Sequence, residues 1–297
     1  MQLGAFYPFS RNHASYNSTA QELYNWPSVA RSAKKALGLR YRLLPYFYTA
    51  MYEAHTKGIP IARPLFFTFP EDVETYGINT QFLIGKGVMV SPVLKPGMTS
   101  VNAYFPAGKW FNLFNYSLAV NTTVGKYVRL DAPDDSINVH VRGGTILVMQ
   151  EEANTTQQVR KSGIELVVAL GKDSNATGDV FMDDGEVLEM GVNKTEFSLV
   201  RFTSRMEGDA AVVESKIVNG TYAARHQLVV KKVVFLGLKA DSSSKNSTAL
   251  FVNGMRLSEN EGVRANYGIR GRFGAAEVQG LSHSIGKDFE LKFKFRS

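Results

Sequence analysis

Residues 4–13 read GAFYPFSRNH, an aromatic and proline-rich run that passes directly into Arg11, Asn12 and His13. That triplet is a donor-rich edge suited to hydroxyl groups or anions. The apolar run predicts a packed strand end and the polar triplet a loop at its terminus, where binding chemistry tends to sit. His13, at the end of this edge, is the candidate ligand contact, with an ordinary polar loop residue as the alternative reading. Carboxylates cluster at Asp183-Asp184-Gly185-Glu186 and at Pro133-Asp134-Asp135. Each could be an acid/base pair or a calcium loop. Both read better as tight turns, because an EF-hand-like loop needs further oxygen ligands at alternate positions and none follow.

The five histidines, His13, His55, His140, His226 and His283, include no pair at metal-ligand spacing, and the chain has no cysteine. Zinc sites, disulfides and thiolate nucleophiles are accordingly not expected. A phosphate-binding glycine loop, a Gly-x-Ser-x-Gly elbow and a dinucleotide fingerprint are also missing, so no cofactor is expected. The formal net charge is +7, with Lys and Arg spread along the chain instead of gathered into runs. That pattern gives no basis for a nucleic-acid partner.

Asn17, Asn115, Asn121, Asn154, Asn175, Asn193, Asn219 and Asn246 each begin an Asn-x-Ser/Thr sequon. Roughly two would arise by chance from the residue frequencies, so eight predict a glycoprotein of the secretory pathway. No secretory leader is legible after Met1, and no stretch of 18 apolar residues suggests a membrane span. The two readings agree if the 297 residues are the C-terminal part of a longer secreted chain.

The elements that must carry these residues are of two kinds. Residues 27–58 have apolar positions at helical spacing, with Ser28 a possible cap, Gly58 and Pro60 as stops, and Pro45 splitting the span. After Pro60 the texture becomes short β-branched and aromatic runs between turn residues. VMVSPVL (88–94), VNAYF (101–105), KWFNLF (109–114), YVRL (127–130), INVHV (137–141) and TILVM (145–149) predict one β-sandwich, with a hairpin at Pro106-Ala107-Gly108. The polar residues 151–163 predict a linker, and ELVVAL (165–170) through FELKFKF (289–295) a second sandwich.

Several stretches together resemble glycoside hydrolase family 31, the α-glucosidase and α-xylosidase family, and most of all its plant members. They are MQLGAFYPFSRNH, ALGLRYRLLPYFYTAMYEAHTKGIPIARPLFF, FPEDVETYGINTQFLIGKGVMVSPVL, YFPAGKWFNLF, APDDSINVHVRGGTILVMQ, GDVFMDDGE and GKDFELKFKF. The resemblance runs through the chain in consistent order. It implies a mixed fold: a mainly helical C-terminal remnant of a (β/α)8 barrel at 1–63, then antiparallel β-sandwiches at 64–150 and 151–297. It also implies that His13 sits at the C-terminal face of the barrel and hydrogen-bonds the sugar, and it alone makes Arg11 a candidate contact beside it, with Arg11 and Asn12 shaping the loop and Phe6, Tyr7 and Phe9 packing or lining it.

Members of this family cleave with two aspartates, a nucleophile and a general acid/base, held about 5 Å apart. The segments that would carry them match nothing here, so no catalytic residue is assigned and the chain alone is expected to be inactive. The implied partner is an α-glucoside or α-xyloside, and the implied location is the cell wall, apoplast or vacuole. The alternative is a non-catalytic carbohydrate-binding or structural β-sandwich protein, using Trp110 and Phe111 to stack on sugars.

Overall fold

Pro27, which lacks a backbone N–H, opens the first long helix at a position where that donor is not needed. The computed structural model describes residues 1–186, 188–239, 248–257, 262–270 and 273–295. Helix α1 (Pro27–Arg42) follows an extended Trp26, so Ser28 lies inside the first turn and does not cap it. Pro45 falls in the first turn of α2 (Leu44–Lys57), and the two helices part at Leu43. Gly58, with φ of +69°, ends α2 in the left-handed conformation that only glycine adopts cheaply. Leu39, Leu43 and Phe47 bury one face of the pair.

The apolar run before α1 is not a strand. Gly4–Phe6 forms a single 3-10 turn, and residues 7–22 carry no regular structure. Among the described residues before position 62 there is no β-strand, so this part consists of helices and irregular segments and does not display a barrel wall.

The remaining chain is strand-rich. The first group comprises β1 (Ala62–Arg63), β2 (Phe82–Ile84), β3 (Val88–Ser91), β4 (Ser100–Phe105), β5 (Gly108–Asn112), β6 (Leu118–Thr122), β7 (Lys126–Asp131) and β8 (Asn138–Arg142), with a short helix α3 (Leu65–Thr68) after β1. Six of these form a sheet in the order β1-β2-β3-β8-β5-β6, while β4 pairs only with β7. The two layers enclose Leu83, Met89, Ala103, Phe105, Trp110 and Val120. The expected hairpin between β4 and β5 is absent, because the corner at Pro106–Gly108 sends the chain from one layer to the other. Phe105 and Trp110 then meet edge to face at 5.9 Å across the core, and the indole N–H donates to the Pro106 carbonyl at 3.0 Å.

The second group comprises β9 (Thr145–Gln150), β10 (Ile164–Ala169), β11 (Ala176–Asp183), β12 (Phe197–Glu207), β13 (Ala210–Gly220), β14 (Val229–Lys239), β15 (Thr248–Val252), β16 (Met255–Leu257), β17 (Arg264–Arg270), β18 (Phe273–Ser284) and β19 (Phe289–Phe295), with short helices α4 (Thr156–Lys161) and α5 (Tyr222–Arg225). They form one sheet in the order β16-β15-β19-β13-β12-β11-β9-β10-β14-β18-β17. Phe235 of β14 and Phe293 of β19 stack at 6.4 Å although they stand far apart in that order, so the sheet folds over its own core as a sandwich. Pairing is mostly antiparallel, as expected, but β10 and β14 run parallel.

Two features differ from the sequence reading. β9, expected with the first sandwich, pairs with β10 along its whole length, Ile164 to Gln150 through Ala169 to Thr145. The stretch expected to be a linker is the connection between those two strands and contains α4, whose N-cap Thr155 accepts from the Gln158 N–H at 3.2 Å. Every residue of β9 and β10 is buried. Ile146, Val148, Leu166 and Val168 face the core of the large sheet. Leu147, Met149, Val167 and Ala169 face a second core shared with α1, α2 and the six-stranded sheet.

Candidate functional site

Phe6 anchors the opening loop, being fully buried in the core beneath α1 and α2. The loop beyond it is held by Arg40 of α1, whose guanidinium donates to the carbonyls of Ala5, Tyr7 (2.7 Å) and Pro8 (3.1 Å). The same group lies 4.9 Å from the centre of the Phe47 ring, and burial lowers its pKa. Three carbonyls taken by one side chain leave that backbone no ladder to join, which explains the missing strand. Asn12 closes the far side by donating its amide to the Gln21 carbonyl. A charge-assisted clamp at one end and an amide tie across the loop give it a defined path without secondary structure.

On this frame Arg11 and His13 are both exposed, as are Tyr7 and Phe9. Their side chains make no hydrogen bond to another described residue, so their donors are free for an incoming group. Tyr7 packs on Phe82 with ring centres 5.8 Å apart, which ties the rim to the six-stranded sheet. Arg40 was not legible as a functional residue. It lies 33 positions from Tyr7, and no period in the sequence connects them.

The acidic clusters are turns. Asp183 Oδ1 accepts from the Gly185 N–H at 2.7 Å, and Asp184 Oδ1 accepts from the Glu186 N–H at 2.9 Å. Asp183 Oδ1 also accepts from the Tyr48 hydroxyl at 2.6 Å, joining the turn to α2, while its Oδ2 is buried without a hydrogen-bond partner. Burial and this carboxylate together push the Tyr48 hydroxyl well above the usual phenol range. A cavity of about 170 Å³ lies beside the pair, walled by Phe47, Met51, Val148, Val159 and Phe181. The Asp134 carbonyl accepts from Gln2 at 2.9 Å and from Ser32 at 3.3 Å, so the second acidic turn ties the opening segment to α1. Among the described residues no group of three or more His, Asp or Glu is placed to hold a metal ion.

Trp110 and Phe111 are 0% and 2% exposed, so the stacking surface envisaged for them does not exist. The indole instead packs in the core between the two layers, beside the corner at Pro106–Gly108. His140 is likewise interior, against the Phe105 ring at 5.1 Å. Asn17, Asn115, Asn121, Asn154, Asn175 and Asn193 are exposed, and Asn219 is half-buried. Asn246 lies outside the described residues.

Residues 1–50 match the model of the glycosyl hydrolases family 31 TIM-barrel domain, and residues 58–147 match that of the glycosyl hydrolase family 31 C-terminal domain. The chain belongs to glycoside hydrolase family 31. It is 52% identical over 296 residues to a probable alpha-glucosidase of Oryza sativa subsp. japonica, which covers 98% of this chain and 33% of that protein. It is 39% identical over 306 residues to alpha-xylosidase 1 of Arabidopsis thaliana, covering 99% and 33% respectively. Among solved structures, a glucosidase II alpha subunit with bound Glc1Man2 superposes with a TM-score of 0.85 at 26% identity, over 99% of this chain and 32% of the other. The family 31 chain thus spans about a third of the length of the curated relatives it matches.

Proposed function

We propose that this chain serves a retaining α-glucosidase or α-xylosidase that removes terminal, non-reducing α-linked glycosyl units. The observation that carries the reading is the 52% identity over 98% of the chain to a probable alpha-glucosidase. In this reading residues 1–63 are the tail of the catalytic barrel, and His13 contacts the bound sugar with Arg11 beside it. Arg40 positions the loop that carries them. The two catalytic carboxylates come from the part of the fold that these residues do not span, and the β-sandwiches brace the barrel helices. Sugar contacts from exposed, unpaired donors on a clamped loop need little reordering on binding.

The experiment is kinetic. In the full-length protein carrying this segment, His13→Ala is expected to lower kcat/KM for an aryl α-glucoside or α-xyloside roughly 10- to 100-fold, the cost of one strong hydrogen bond to substrate. The folded fraction should not change, because the imidazole is exposed. Unaltered kinetics would remove His13 from the site. The 297-residue chain by itself is expected to turn over neither substrate, and measurable turnover would overturn the placement of the carboxylates.

The protein is further assigned to the secretory pathway and delivered to the cell wall, apoplast or vacuole. Eight sequons support that assignment, six of them with exposed asparagines.

A further inference from the structure

A sheet edge offers unpaired backbone donors and acceptors, and proteins blunt such edges with charge, proline, brevity or cover. The edges in this molecule can be compared one by one. β1 is two residues long, contains Arg63 and is flanked by Pro60 and Pro64. β16 has three residues including Arg256, and β17 begins and ends with arginine. β7 carries Lys126, Arg129 and Asp131. β4 has no charge, but the Gln81 side-chain amide stands in for a neighbouring strand: its Oε1 accepts from the Tyr104 N–H at 2.7 Å and its Nε2 donates to the Tyr104 carbonyl at 3.1 Å.

β6 has none of these protections. It is the last strand of its sheet, paired with β5 alone, and its sequence LAVNT contains no charge and no proline. Leucine, valine and threonine in a short uncharged run favour recruitment of another strand. What β6 has instead is the sequon Asn121-Thr122-Thr123, with a second at Asn115-Tyr116-Ser117 in the turn before it. Asn121 and Thr123 are exposed, and neither side chain hydrogen-bonds to another described residue. A crevice of about 650 Å³, lined in part by Lys109, Asn121, Thr123 and Asn175, leaves open space beside the amide.

We propose that Asn121 carries an N-linked glycan whose role is to shield the β6 edge against strand addition by other chains, with Asn115 reinforcing it. A hydrated oligosaccharide on an edge residue denies a second strand the close parallel approach that pairing requires. The inference rests on the secretory reading above, and the experiment separates the two. The full chain is secreted from a eukaryotic host, its glycopeptides are mapped before and after endoglycosidase treatment, and light scattering is followed on warming. Thr123→Ala removes the sequon while leaving Asn121 in place, and Thr123→Ser keeps it.

Occupancy at Asn121, with a severalfold faster rise in scattering for Thr123→Ala and wild-type behaviour for Thr123→Ser, is the expected result. Glycans at other sequons with Asn121 bare would overturn this proposal and leave the secretory reading standing. No glycan at any sequon would defeat both. Occupancy with unchanged scattering in Thr123→Ala would overturn the shielding role.

Discussion

Replacing Glu165 with alanine is expected to lower the unfolding free energy by about 3–5 kcal/mol, the cost of breaking a buried ion pair from one side. Glu165 is almost wholly buried in β10, where Oε2 accepts from Arg42 of α1 at 2.8 Å and Oε1 accepts from the Tyr116 hydroxyl at 2.8 Å. Lys232 of β14 adds a longer contact at 3.6 Å and itself pairs with Glu277 at 2.9 Å. The carboxylate therefore joins the end of α1, the turn after β5 and two strands of the large sheet. Truncating it leaves the Arg42 guanidinium, whose side chain is 20% exposed, with only the neutral Tyr116 hydroxyl at 3.0 Å, and leaves that hydroxyl, with little access to water, without its acceptor. Denaturant midpoints should show the loss, and Arg42→Met combined with Glu165→Leu and Tyr116→Phe should recover most of it, because the hydroxyl that bonds to both charged partners is removed with them. A loss below about 1 kcal/mol for Glu165→Ala, the range of an exposed pair, would show that the network contributes no more than a surface contact.

Acid should act through His140. The ring lies in the interior of the first sandwich with Nδ1 buried and unpartnered, and burial lowers its pKa to about 3. The unfolded chain takes up a proton near pH 6.5, while the folded chain refuses it until about pH 3. Above pH 6.5 both states are neutral and the residue contributes no pH dependence. Between pH 6.5 and pH 4 the unfolded state gains the advantage at about 1.4 kcal/mol per pH unit, or about 3 kcal/mol in all. Comparing stability against pH for the wild type and His140→Leu isolates this contribution, since the variant lacks the titrating group and should show a shallower acid limb. Superimposable profiles would mean that the buried imidazole accepts its proton without cost.

The helical part was legible in the sequence because local rules fix it. Pro45 must break the helix wherever the rest of the chain lies, and Gly58 must end it. The strands were legible as strands, since β-branched runs between turn residues have few other uses. Their partners were not. Nothing in VNAYF and KWFNLF separates a hairpin from two strands in facing layers, the arrangement they adopt, with β4 on β7 and β5 between β8 and β6. ILVM (146–149) and LVVAL (166–170) carry a clearer signal, since runs apolar at every position imply that both faces are covered. That signal shows that such strands are interior, but it does not name the neighbours on each side. The candidate loop was legible in residue type, at Arg11 and His13. Its support by Arg40 was not, because a side chain that bonds to carbonyls leaves no mark on the residues it holds.

The wall formed by β9 and β10 belongs to two hydrophobic interiors at once, one lined by Ile146 and Leu166 and the other by Leu147 and Val167. A party wall of this kind makes the neighbouring compartments inseparable: neither can lose its seal without flooding the other. Severing the polypeptide near residue 150 would therefore not release two self-sufficient modules, and evolution could not readily shuffle either one alone. The helices bearing the opening loop rest on that same partition, so its integrity reaches as far as His13.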